Sequence, residues 1–181
     1  MDKLPDISHY LKSPLVSLGA RVYLLKNKLS SDDSSSIGSK ISELVFRIEL
    51  FEDYLVLNNG EQLNIEKANI NSLINKIIAE WNGNNEVKVE CENSSDGLVY
   101  IDEMRISRVI NCLLRQVIKC HDVEEVCIRI TKSKNRLRLS FGEELLKDAD
   151  SKYIEVEYCL LVLDKLGGYL DEDGSVIIKI K

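Results

Sequence analysis

"DISHYLKSPLVSL", residues 6–18, sits in a run whose apolar residues recur every three or four positions: Leu4, Ile7, Leu11, Leu15, Leu18, Val22, Leu25 and Leu29. That spacing is a heptad-like seam and predicts a helix. Pro5 suits the first helical turn, where its missing N–H costs nothing, and Asp6 suits the positive end of the helix dipole. His9 lies off the seam, roughly 200° from Ile7 and Leu11 at 100° per residue, and so toward solvent. Pro14 removes the N–H that would bond the carbonyl of Tyr10 and loosens the helix just past the histidine.

A second seam, Ile37, Ile41, Leu44, Ile48, Phe51 and Leu55, ends near "NNG" at 58–60, an Asn/Gly helix stop. Between the seams, "SSDDSSSIGSK" (30–40) has the composition of a flexible turn. Residues 1–60 are therefore expected to form an antiparallel helical hairpin. Its apolar stripe is too wide for one partner helix to cover. Pairing with a second copy as a homodimeric four-helix bundle is the economical solution.

From about residue 62 the pattern becomes mixed. "LNIEKANI" and "EVKVECE" alternate as half-buried strands do, and "NSLINKIIAEW" and "EMRISRVINCLLRQVIKC" have helical periodicity. "EEVCIRIT" and "RLRLSF" make a hairpin around "KSKN". "YIEVEYCLLVLDKL" is a last helix, leading through Gly167-Gly168 into a closing hairpin about Asp173-Gly174. Strands and helices are grouped rather than strictly alternating, so residues 61–181 read as an α+β two-layer sandwich.

The bulk numbers narrow the class. The chain has 181 residues, 44% hydrophobic and 30% charged, as ordinary globular proteins do. A net charge of -6 with no basic stripe argues against nucleic acid as the partner. Five cysteines without a CxxC pair, each in an apolar setting, read as reduced and buried in a cytoplasmic protein. No signal-like segment or apolar run near ~20 residues points to a membrane.

"SHYLKSPL" (8–15) resembles the H-box of two-component sensor histidine kinases, written S-H-E-L-R-T-P-L. Ser8, His9, Leu11, Pro14 and Leu15 match it, and Lys12 and Ser13 are near-substitutes. "DEMRISRVINCLLRQVIKC" (102–120) resembles the N-box helix of that family's ATP-binding domain. "LDKLGGYL" (163–170) resembles the segment after its ATP lid. The resemblance spans the chain and implies a phosphoacceptor hairpin followed by an ATPase-like sandwich.

The departures fall on nucleotide chemistry. Gln116 stands where the family places a Mg²⁺-binding asparagine, and its extra methylene displaces the amide from tight octahedral geometry. Phe141 stands where an aspartate would bond adenine. "YIEVEYCLL" replaces the glycine-rich phosphate cradle and brings Glu155 and Glu157, which would repel a triphosphate. Tyr10 replaces the acidic residue that helps the histidine attack ATP. This set is similar to the dimeric histidine phosphotransferases of phosphorelays, among them the alphaproteobacterial cell-cycle phosphotransferase and the sporulation phosphotransferase. It implies phospho-His9 as an intermediate between response-regulator receiver domains, Mg²⁺ supplied by the receiver, and no cofactor held by this chain.

Imidazole suits such a relay because its pKa near ~6.5 leaves a free lone pair at neutral pH. Lys12, one turn from His9, could neutralise phosphoryl charge, and Ser13 stands where related kinases place a Thr or Asn for phosphatase work. Val16, Ser17 and Ala20 share the face of His9 and are small, which would let a receiver helix approach. Asp102, Arg105 and Gln116 read as structural, and His121 as a helix C-terminal dipole partner. Two rivals remain: a non-catalytic pseudokinase that regulates a response regulator or kinase by occupancy, and an autokinase with an altered ATP site.

Overall fold

Asn69 decides where a strand stops and a helix starts. Its side-chain oxygen accepts from the backbone N–H of Asn71 at 3.0 Å and of Ser72 at 3.2 Å, satisfying two of the donors a helix N-terminus leaves open. Helix begins at Ile70, so "LNIEKANI" yields only a four-residue strand instead of one continuous run. The computed structural model describes residues 31–84, 88–93, 97–121, 125–141, 154–171 and 174–180. The chain divides into two compact units, Met1–Val56 and Leu57–Lys181. The expected first helix lies outside the described residues.

Helix α1 covers Ser31–Asn58, of which the residues through Val56 belong to the first unit. The expected flexible turn over 30–40 is thus corrected: from Ser31 onward this stretch is helix. Serine costs a helix interior only a few tenths of a kcal/mol relative to the better formers, about 0.5 at most, so a serine-rich composition does not exclude helix. Farther along, Arg47 and Glu43 pair at 2.9 Å across one turn. The seam is unevenly covered in the single chain. Ile37, Leu44 and Phe51 are 37%, 47% and 45% exposed and Ile41 is buried, whereas Leu50, off the seam, is fully buried.

The second unit follows with β1 (Glu66–Asn69), α2 (Ile70–Asn84), β2 (Lys88–Asn93), β3 (Leu98–Ile101), α3 (Glu103–His121), β4 (Glu125–Ser133) and β5 (Arg136–Ser140). It ends with α4 (Ile154–Lys165), β6 (Tyr169–Leu170) and β7 (Val176–Lys179). β1 and β3 form their own antiparallel pair, and the other strands make a five-stranded sheet in the order β2-β4-β5-β7-β6. β2 and β4 are parallel, joined through α3, and the remaining neighbours are antiparallel. The expected hairpins β4–β5 and β6–β7 are both present.

Alternation places Val126, Ile128 and Ile130 of β4 beside Leu137 and Leu139 of β5 on a buried face. The opposite face carries ion pairs, Arg129 to Glu92 at 2.9 Å and Lys88 to Glu125 at 3.2 Å among them. Helical stripes complete the core: Ile70, Ile74, Ile77 and Trp81 on α2, and Ile106, Val109, Ile110, Leu113 and Val117 on α3. α4 stops in a Schellman turn. The Gly168 N–H donates to the carbonyl of Leu163 at 2.8 Å and the Gly167 N–H to that of Asp164 at 2.9 Å. Gly167 takes φ 66° there, and a β-carbon on Gly168 would collide with the backbone carbonyl of Ile177.

At the start of α3, Asp102 and Arg105 are buried and joined. The Asp102 carboxylate accepts from the Arg105 backbone N–H at 3.1 Å, the Asn64 N–H at 2.9 Å and the Arg105 guanidinium at 3.2 Å. Arg105 also donates to the Gln62 carbonyl at 3.2 Å and to Glu61 at 2.8 Å. The pair caps α3 and ties residues 61–64 to it. Removing Asp102 takes away the buried counter-charge of Arg105 and leaves it the half-exposed Glu61 carboxylate. Asp102→Ala should therefore cost about 3–5 kcal/mol of stability, read as a lowered urea midpoint. A cost near that of an ordinary surface substitution would refute this account of the pair.

Candidate functional site

His9, Lys12, Ser13, Val16, Ser17 and Ala20 lie outside the described residues. The positions that correspond to a nucleotide site fall in the second unit, where α3 packs on α4. Cys112 is on α3, at an N-box position, and Cys159 is on α4; both are buried. The Cys159 thiol donates to the Val109 carbonyl at 3.9 Å. Its hydrogen bond with Cys112, and then its burial, push its pKa up, so it stays a protonated packing group. Tyr158, with no exposed surface, fills the α4 side beside Val162 and Leu163.

The side chains at the nucleotide positions are one aromatic, one amide and two carboxylates. Phe141, just past β5, is buried and offers no acceptor to an adenine amino group. Gln116 is half-buried on α3. Glu155 and Glu157 occupy the first turn of α4, where their charge already complements the helix dipole and opposes an incoming phosphate. A Mg²⁺–nucleotide does not fit this set. Among the described residues no group of three or more His, Cys, Asp or Glu could hold a metal ion.

Two of the four described cysteines depart from the expectation that all are buried: Cys91 and Cys127 are half-exposed. Cys91 lies on the core-facing side of edge strand β2, and Cys127 on the solvent face of β4, beside Glu90. Burial is the first cause that raises each thiol's pKa. The side chain of His121 is outside the described set.

Two concave surfaces remain. A cleft of about 670 Å³ borders the Asp102–Arg105 pair, and the charges at its rim are of both signs, Glu66 and Glu103 against Lys76 and Arg108. A groove of about 440 Å³ is lined by Ile65, Tyr100, Lys165, Leu166 and Lys179. Tyr100 is 49% exposed and stands across the β1–β3 pair from Lys67. The sequence gives no local signal for this groove, because its residues come from separate segments that only the topology brings together.

No family profile and no curated protein matches the chain. Solved structures do resemble it. The Acinetobacter baumannii histidine kinase AdeS matches with 16% identity and a TM-score of 0.58, over 95% of each chain. Full-length ShkA in complex with AMPPNP matches with 12% identity and a TM-score of 0.66, over 99% of this chain and 45% of that one. Histidine kinase ThkA in complex with response regulator protein TrrA matches with 17% identity and a TM-score of 0.55, over 96% of this chain and 58% of that one. Catalytic domains of ThkA alone align with 65% of the chain at a TM-score of 0.50. The chain has a histidine-kinase-like fold, and its five-stranded sheet with the associated helices resembles a histidine kinase ATPase domain.

Proposed function

We propose that this protein is a histidine phosphotransferase that passes phosphoryl groups between response-regulator receiver domains through His9. One observation carries the reading: an H-box-like "SHYLKSPL" stands on a histidine-kinase-like fold whose nucleotide positions hold Phe141, Gln116, Glu155 and Glu157. The acceptor histidine is kept where the groups for ATP are replaced. Phosphate then has to come from another protein, and the complex of ThkA with a response regulator is a precedent for a fold of this kind meeting such a partner.

In the forward step a lone pair on the His9 imidazole attacks the phosphorus of a receiver's aspartyl phosphate. The P–N bond forms as the P–O bond to the aspartate breaks, and the aspartate leaves as a carboxylate. The ring's other nitrogen releases its proton to water. The reverse reaction with a second receiver regenerates His9. The partner receiver would supply Mg²⁺ to screen the phosphoryl oxygens, Lys12, three residues on from His9, would add positive charge beside them, and Ser13 is four residues on. Val16, Ser17 and Ala20 let the receiver helix approach.

The homodimer belongs to the same proposal. Ile37, Leu44 and Phe51 repeat at seven-residue spacing and remain 37–47% exposed in the single chain, as a bundle seam awaiting a partner would be. The protein is placed in the cytoplasm, where receivers reside, and among the described residues no helix is long and apolar enough to cross a membrane.

Incubation with phosphorylated receivers should label the wild type and leave His9→Ala unlabelled. A regulatory effect that survives His9→Ala would favour a non-catalytic pseudokinase, and thermal stabilisation by Mg-ATP would favour an autokinase. Leu44→Glu combined with Phe51→Glu should convert the dimer to a monomer in light scattering, with helical circular dichroism retained. A dimer that persists would remove the seam from the interface.

A further inference from the structure

The dipeptide Asn-Gly occurs twice in the chain, at residues 59–60 and 82–83. Asparagine is a chemically labile side chain, since the backbone nitrogen of the next residue can attack its amide carbon. Glycine in that next place offers the least hindrance, because it has no β-carbon and a wide choice of φ and ψ. The local fold then decides whether the attack occurs, and it treats the two copies in opposite ways.

Asn82 and Gly83 both lie within α2, which runs to Asn84, so the Gly83 nitrogen belongs to helical backbone. The Asn82 side chain is held at both ends by one residue of β2. Its Oδ1 accepts from the Val89 N–H at 2.8 Å, and its Nδ2 donates to the Val89 carbonyl at 3.0 Å. Turning the Asn82 amide toward Gly83 breaks both bonds.

Asn59 is placed differently. α1 ends at Asn58, so Asn59 stands in the turn that follows, and both it and Gly60 are exposed. Among the described residues no hydrogen bond holds its side chain. Gly60 takes φ 99°, and its N–H donates to the Leu57 carbonyl at 3.1 Å, the one bond that has to open. The turn is pinned on either side. Leu57 has no exposed surface, and Glu61 accepts from the Arg105 guanidinium at 2.8 Å and, through its backbone carbonyl, from Lys165 at 3.3 Å.

We infer that Asn59 is a site of spontaneous deamidation and that Asn82, with the same neighbour, is protected. In the first step the Gly60 nitrogen bonds to Asn59 Cγ and gives its proton to solvent. The Cγ–Nδ2 bond breaks, and Nδ2 takes up a proton and leaves as ammonia. Water then opens the five-membered imide. Attack at Cγ gives aspartate, and attack at the main-chain carbonyl carbon gives isoaspartate. Either product adds one negative charge two residues before Glu61, and isoaspartate also adds one backbone atom between Leu57 and Glu61. Because the attacking nitrogen must lose its proton, conversion quickens as pH rises.

Peptide mapping by mass spectrometry, on the full chain held in mildly alkaline buffer, tests this. Asn59 should convert at least about tenfold faster than Asn82, whose side chain must first break two hydrogen bonds. In urea, where no fold protects either copy, the two should convert at similar rates. Equal rates in the folded protein, or faster conversion at Asn82, would overturn the assignment. So would an Asn59 that stays intact in the folded chain but converts in urea.

Discussion

One buried charge pair fixes the second unit. Asp102 has too little exposed surface to be solvated by water, so its carboxylate must be satisfied from within, by two backbone N–H groups and the Arg105 guanidinium. Arg105 in turn needs more acceptors than Asp102 provides, and it finds them at Gln62 and Glu61. The segment between α1 and β1 is thereby held to the start of α3. β1 then pairs with β3, whose last residue, Ile101, precedes the capping aspartate. A single electrostatic requirement sets the end of β3, the start of α3 and the path of the chain leading into β1.

That frame separates fold from chemistry. α3 and α4 pack through Cys112, Cys159, Tyr158 and neighbouring apolar groups. Glu155 and Glu157 stabilise α4 through the same dipole that would otherwise favour phosphate. Stability and nucleotide affinity thus pull in opposite directions at this helix start, and the residues present serve stability.

Local chemistry was readable along the chain wherever one residue type had one use. Gly167-Gly168 marks a helix end because only glycine takes the left-handed step and the close approach that follows it. The β4–β5 and β6–β7 hairpins and the apolar periods of α2 and α3 were equally plain. Serine and aspartate are common in turns yet are tolerated in helices, so the turn-like composition after Ser31 did not reveal the helix found there. Asn69 hid a strand–helix junction in the same way. Asp102 and Arg105 could be seen as a spaced pair, but their bonds to Asn64, Gln62 and Glu61 span about forty residues and depend on folding. The lysine-lined groove was invisible, since no stretch of sequence contains it.

The seam on α1 has a geometric consequence. Ile37, Ile41, Leu44, Ile48, Phe51 and Leu55 alternate steps of four and three, so the pattern repeats every seven residues, or 3.5 for each turn. A straight α-helix needs about 3.6 residues per turn, so such a stripe drifts around the cylinder by roughly 20° every seven residues. A helix pairing with it along the full stripe has to wind left-handed around it. The pitch of that winding is long compared with α1, whose 28 residues span about 42 Å at 1.5 Å each. The sense of the twist is therefore already written in the side-chain spacing of one helix.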